Sequence, residues 1–275
     1  MKKITMIMIA CTSFVLYSLP ASATCGVEVC PLASHIYSQG SQAADWHLRA
    51  TALQVEYPVG SGSNSYSALQ TRVEYRGIDR TSLGLMVPAL MVNNAGHRKV
   101  GLGNPVIFAE YRLVEENQLI VSMGSQLALP VGSTHSGIAS HHFEVLPYLG
   151  AIYNTGSWYA FGNAGYLQSF GGHHDDAGAV SSINLNATQH SESEVVYRAG
   201  AGYLVSAINT RVEIFTIGQA VIEDDTNSDR YFQTAGAGFR IALGQRYELY
   251  PTFSVPLTAA KRVNYSASLG FMARI

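Results

Sequence analysis

The chain has 275 residues, of which 47% are hydrophobic and only 13% charged, with a formal net charge of −2. A balance of 17 Lys+Arg against 19 Asp+Glu leaves nothing to neutralise a run of phosphates, which excludes a basic nucleic-acid binder. The apolar content excludes a disordered acidic chain, and a soluble domain of this size normally carries about a quarter charged residues.

Met1-Lys2-Lys3, the uncharged apolar run from Ile4 to Leu19 and the small residues Ala21-Ser22-Ala23 predict a secretory signal peptide, residues 1–23. The apolar run is shorter than the roughly 20 residues a helix needs to span a bilayer. Cys11 leaves with the signal, and Cys25 and Cys30 remain. An even pair in an oxidising compartment predicts a small disulfide, with a metal or redox site as the alternative.

Beyond the signal no apolar run is long enough for a membrane helix, and the recurring pattern has period two. Leu69, Thr71, Val73 and Tyr75 interleave with Gln70, Arg72, Glu74 and Arg76; Val212, Ile214 and Thr216 interleave with Arg211 and Glu213. Twelve such segments follow in order: 46–57, 66–76, 81–92, 105–115, 118–130, 143–153, 157–169, 194–206, 210–222, 230–243, 246–257 and 262–275. Each has the length of a tilted strand crossing a bilayer. Their connections alternate between tight (Gly77–Arg80, Glu116–Asn117, Asn154–Gly156, Ala207–Asn209, Gly244–Gln245) and mostly longer (Pro58–Ser65, Asn93–Asn104, Val131–His142, Gly171–Ser193, Glu223–Asp229, Thr258–Lys261). That rhythm predicts an all-β fold: a transmembrane antiparallel up-and-down barrel over 46–275, with residues 24–45 as a periplasmic extension.

A soluble β-sandwich or lipocalin-like barrel would also alternate. Three features favour the outer membrane of a Gram-negative cell. Fourteen of the 16 tyrosines lie in or at the ends of the segments, as interfacial girdles require. The terminal run Tyr265, Ala267, Leu269, Phe271, Ala273, Ile275 resembles the C-terminal signal read by barrel-assembly machinery, with Ile275 where an aromatic residue is usual. The other parity of the segments is polar or small, which predicts a lumen without a hydrophobic core.

Gly101-Leu102-Gly103-Asn104-Pro105 and Leu129-Pro130-Val131-Gly132 resemble signatures of the MetA-pathway phenol-degradation outer-membrane family, whose members are described broadly as transporters. Asn104 stands where an aspartate is common, which leaves no charge there. The resemblance implies a channel or transporter in contact with outer-membrane lipid, for small hydrophobic or aromatic solutes. Locally, the glycines permit a tight bend at a strand start, and Pro130 ends hydrogen-bond pairing.

Taking the apolar parity as lipid-facing puts Arg72, Glu74, Arg76, Glu110, Arg112, Glu144, Arg198, Arg211, Glu213, Arg240, Glu248 and Arg274 in the lumen. Such charges either pair across strands to fill a narrow barrel or line a constriction that selects solutes. The first segment resists this rule, because Leu53, Val55 and Tyr57 share one face while Trp46, Leu48 and Ala50 share the other. A bulge near Ala52 or a later strand start would reconcile them.

Seven of the nine histidines fall in the longer connections: His97, His135, His141, His142, His173, His174 and His190. His173-His174-Asp175-Asp176, with His141 and His142 from the preceding long loop, is a candidate Zn, Ni or Cu site. The bland alternative is that solvated loops collect polar residues. A barrel hydrolase is the third reading, but no His-x-Ser pair and no placed nucleophile supports it. No cofactor is implied, since Walker, dinucleotide and zincin motifs are absent.

Overall fold

Alternation becomes strand when one parity can face lipid and the other can face protein or water. The computed structural model describes residues 46–59, 62–94, 97–133, 138–171, 183, 193–223, 230–244 and 246–275. The expected signal peptide (1–23), the expected 24–45 extension, and Cys25 and Cys30 lie outside these residues. Among the described residues thirteen strands form: β1 (Trp46–Val59), β2 (Gly62–Ile78), β3 (Thr81–Asn94), β4 (His97–Leu102), β5 (Val106–Glu115), β6 (Leu119–Ala128), β7 (Phe143–Asn154), β8 (Trp158–Phe170), β9 (Ser193–Val205), β10 (Thr210–Glu223), β11 (Tyr231–Leu243), β12 (Tyr247–Pro256) and β13 (Tyr265–Arg274).

Neighbours pair antiparallel, and β1 closes the sheet on β13 through pairs such as Leu48↔Ala273 and Val55↔Ser266. Both β4 and β5 pair with β3, at Ala89↔Leu102 and Met86↔Val106, with the register slipped by one residue between them. They therefore occupy a single place in the wall, and the barrel is closed and twelve-stranded. No helix among the described residues is long and apolar enough to cross a membrane.

At the turn end, connections close at positive φ on Gly156 (92°), Gly244 (75°) and Asn209 (46°), which reach it readily, and on Arg80 (52°), which takes it at a steric cost. Trp46 and Ile275 lie at this end, each bonding the other's backbone (3.2 and 2.9 Å). The opposite, loop end differs from expectation at two connections. Pro58–Ser65 and Asn93–Asn104 are not long loops: β1 pairs with β2 out to Val59↔Gly62, and β3 pairs with β4 out to Asn94↔His97. Polar, glycine-rich residues read as loop, yet beyond the membrane neither face of a hairpin needs to be apolar.

The lipid face is an apolar belt between two aromatic rims. Leu69, Leu85, Leu149 and Ile214 stand exposed in the belt, far more apolar surface than a soluble monomer leaves uncovered. At the turn end Trp46 packs on Tyr75 and Trp158 on Tyr203, with ring centroids 4.8 Å apart in each pair. Near the loop end the Tyr197 and Tyr231 hydroxyls meet at 2.5 Å.

Two expectations about the interior need correction. β1 carries no bulge: its pairing with β2 runs unbroken, so Leu53, Val55 and Tyr57 point inward with His47 and Arg49. Nor is the inward face free of hydrophobic clusters. Leu53, Val55, Tyr57, Tyr66, Leu90 and Val92 bury together towards the loop end, and Tyr159, Phe161, Phe215 and Tyr250 bury towards the turn end with Ile120 and Ile152. Where side chains fill a barrel, apolar parity no longer reports only the lipid face.

Candidate functional site

The lumen is built by inward parity, even on β2, β5, β6, β7, β9, β11, β12 and β13 and odd on β1, β8 and β10. Arg72, Glu74, Arg76, Glu110, Glu144, Arg198, Glu213, Arg240 and Glu248 all take that parity and are buried. Arg112, Arg211 and Arg274 take it too and are half-buried. Arg112 pairs with Glu115 at 2.6 Å beside the turn end.

On the β8–β12 wall Glu213 is the hub. Its carboxylate accepts the Tyr250 hydroxyl at 2.5 Å, the Tyr159 hydroxyl and Arg240 Nε, and Arg198 Nη2 stands 4.0 Å away. Arg240 Nη1 also donates to Glu248 Oε1 at 2.9 Å. Aromatic faces cover the same guanidinium groups: Arg198 lies between Phe161 and Phe215 (4.8 and 4.6 Å to the centroids), and Arg240 lies 4.0 Å from the Tyr250 centroid. A buried charge is tolerable only when paired and hydrogen-bonded in this way, and the planar guanidinium satisfies both an edge and a face at once.

Glycines explain how so many rings fit. Inward Gly202 lies beneath the Tyr159 ring, Gly236 beneath Phe215 and Gly84 beneath Phe108, each where a Cβ would overlap the ring. Gly200 sits between Phe161 and Phe215, and a Cβ there would stand 2.6 Å from Phe161 Cζ and 2.9 Å from Phe215 Cβ. The rings therefore lie along the wall instead of across the bore. We expect Gly200→Val to destabilise the barrel by about 1–3 kcal/mol. Gly162→Val on the lipid face, where a Cβ would come no nearer than 3.7 Å to its surroundings, should cost less. Urea unfolding in micelles ranks the two; equal losses would contradict this packing.

The β13–β1–β2 wall is different in charge. Arg49 stands opposite Arg72, and His47 stands between Arg274 and Glu74. Glu74 receives Arg72 Nη2 at 3.0 Å and Arg76 Nε at 2.6 Å. Among the described residues it is the one acid on the inward faces of these three strands, against Arg49, Arg72, Arg76 and Arg274. On β5, Glu110 accepts the Tyr148 hydroxyl at 3.0 Å.

Sequence reading missed His47, Arg49, Glu194 and Arg262, all buried. The first two were hidden by the apparent conflict in the first segment, although Trp46 and Leu48 on the lipid face already imply inward 47 and 49. Glu194 stands at a strand start, and Arg262 stands in a loop where parity says nothing.

The two sequence signatures meet. Asn104 is fully buried at the break between β4 and β5, where it accepts Gly132 N at 3.0 Å and donates Nδ2 to Ser140 O (3.0 Å) and Oγ (2.9 Å). Leu102 N donates to Ser133 Oγ at 2.9 Å, and Ser133 N returns a bond to Leu102 O at 2.7 Å. Gly132 comes so close to Gly103 that a Cβ would lie 2.7 Å from its carbonyl carbon. The pair of motifs is a clamp on the connection after β6.

Of the metal candidates, His173, His174, Asp175 and Asp176 lie outside the described residues. His141 is exposed, while the adjacent His142 is buried with Nε2 3.6 Å from Glu144 Oε1. Among the described residues no group of three or more His, Cys, Asp or Glu side chains could hold a metal.

No family model matches the chain, and no curated protein matches it significantly. Solved structures do. The COG4313 outer membrane channel from Pseudomonas putida F1 superposes with a TM-score of 0.61 at 13% identity, covering 85% of this chain and 95% of that one. The NanC porin gives 0.54 at 11% identity, covering 84% and 100%. The KdgM porin gives 0.50 at 9%, covering 82% and 98%. The chain therefore has the twelve-stranded barrel fold found in outer-membrane channels and porins.

Proposed function

We propose that this protein is an outer-membrane channel that passes small organic solutes and favours anionic ones, aromatic acids among them. The observation that carries the reading is the β13–β1–β2 wall, where Arg49, Arg72, Arg76 and Arg274 face inward against Glu74. Planar guanidinium forks hold carboxylates in paired bonds, and rings of fixed charge select ions in narrow pores. The aromatic β8–β12 wall adds apolar flanks suited to a planar solute. The resemblance to the MetA-pathway family supports the aromatic part of this solute class; the charge preference rests on the arginines alone.

Outer-membrane placement is supported by the two aromatic rims and the apolar belt between them. β13, alternating up to Ile275, is the segment offered to barrel-assembly machinery. In this orientation the turn end is periplasmic. A tag within Gly171–Ser193 should then be labelled on intact cells and one within Asn154–Gly156 should not; labelling of both or neither would contradict it.

Proteoliposomes test the solute class. A potassium benzoate gradient across them should set up a diffusion potential of the sign that benzoate permeation gives, and changing Arg49 and Arg72 together to Gln should reduce or reverse it. A potential of the sign that potassium permeation gives, with the unaltered barrel, would overturn the anion preference.

A further inference from the structure

The connection from β12 to β13, residues 257–264, does more than join two adjacent strands. It reaches walls on both sides of the barrel mouth. Arg262 Nη1 donates to Glu194 Oε1 on β9 at 2.7 Å and to Gln219 Oε1 on β10 at 2.8 Å. Its guanidinium lies 4.5 Å from the centroid of Phe232 on β11. The next residue, Val263, is buried with Leu53 and Val55 of β1, Tyr66 of β2 and Leu90 of β3. In the strand order, β9 to β11 lie on one side of the β12–β13 connection and β1 to β3 on the other. Adjacent side chains on one loop therefore tie opposite flanks of the mouth, so the loop crosses the opening and does not skirt its rim.

The two kinds of attachment have different strengths. The loop ends are fixed by backbone bonds: Leu257 N to Gln233 O and Asn264 N to Glu56 O, both 2.7 Å, with Gln233 N donating to Thr258 Oγ1 at 3.1 Å. Between these anchors, among the described residues, the Arg262 side chain makes the hydrogen bonds that reach β9 and β10. A charge pair with one carboxylate and one amide is a contact that can be made and lost as a unit, whereas the anchors can serve as hinges.

We propose that residues 257–264 form a gate across the outer mouth, latched shut by Arg262 on Glu194 and Gln219. The proposal rests on the channel reading above. Loss of the latch frees the middle of the loop to swing from its anchored ends and uncovers the arginine-rich lumen beneath. Glu194 and Arg262 thereby control access and need not touch the solute in the bore.

Four proteins test it in planar bilayers: the unaltered barrel, Glu194→Gln, Arg262→Gln, and the exchange Glu194→Arg with Arg262→Glu. Folding of each is checked by heat-modifiable mobility. Each Gln variant should raise the time-averaged current per inserted barrel several-fold, and the exchange should bring it back towards the unaltered value. A second readout is independent of current. Val263→Cys, with Cys25→Ser and Cys30→Ser, should react slowly with an impermeant maleimide on intact cells, and several-fold faster once Glu194→Gln is added. Currents and labelling that ignore the Gln changes would overturn the gate. Faster labelling with no current from any variant would uphold the latch and overturn the channel reading.

Discussion

Glu213→Ala is expected to cost the barrel about 3–5 kcal/mol, because it leaves Arg240 and Arg198 buried without their shared carboxylate. The same change also strips the acceptor from Tyr159 and Tyr250, whose hydroxyls both donate to Glu213. Arg240 keeps its bond to Glu248, so part of its charge remains compensated and the loss should stop short of unfolding. The control is Ile214→Ala on the neighbouring residue, which stands 66% exposed to lipid and fills no protein cavity. Its cost should stay below about 1 kcal/mol, since removed methylenes are largely replaced by acyl chains. Thermal loss of heat-modifiable mobility separates the two. Equal losses would mean that Glu213 does not hold the wall together.

The second large effect falls on Asn104. Replacing it with Leu removes three hydrogen bonds from a fully buried site and should cost roughly 2–4 kcal/mol, since buried partners are left unsatisfied. Asn104→Asp should lie between, because a carboxylate still accepts from Gly132 N and from the Ser140 hydroxyl but cannot donate to Ser140 O. The expected order of stability, Asn above Asp above Leu, is read from proteolysis of the connection after β6 together with the unfolding midpoint. A Leu variant as protease-resistant as the unaltered barrel would contradict the clamp.

Much of this architecture is legible in the amino-acid sequence. The twelve positions of the wall, the tight turns at one end and the inward parity of Arg72, Glu74, Arg198, Glu213 and Arg240 follow from alternation alone, because lipid imposes an unambiguous apolar parity. Expectation fails where lipid is not the partner. Leu53, Val55 and Tyr57 are apolar and inward because other side chains fill the bore beside them, so their parity looks inverted. His97–Leu102 reads as loop because a hairpin standing beyond the membrane carries no apolar signal. The clamp and the latch are invisible for another reason. Asn104 with Ser140, and Arg262 with Glu194, are contacts between segments far apart in sequence, and no local pattern encodes which distant residue a loop side chain will meet.

Passage of solute through the arginine-lined bore should make the barrel anion-selective. Reversal potential in a potassium chloride gradient, measured on the purified barrel and on the Arg49→Gln, Arg72→Gln double variant, tests it most directly. The expected result is stepwise current that favours chloride, with the preference weakened or reversed in the double variant. Current whose reversal potential is the same in both proteins, or no current even after the Arg262→Gln change, would contradict it.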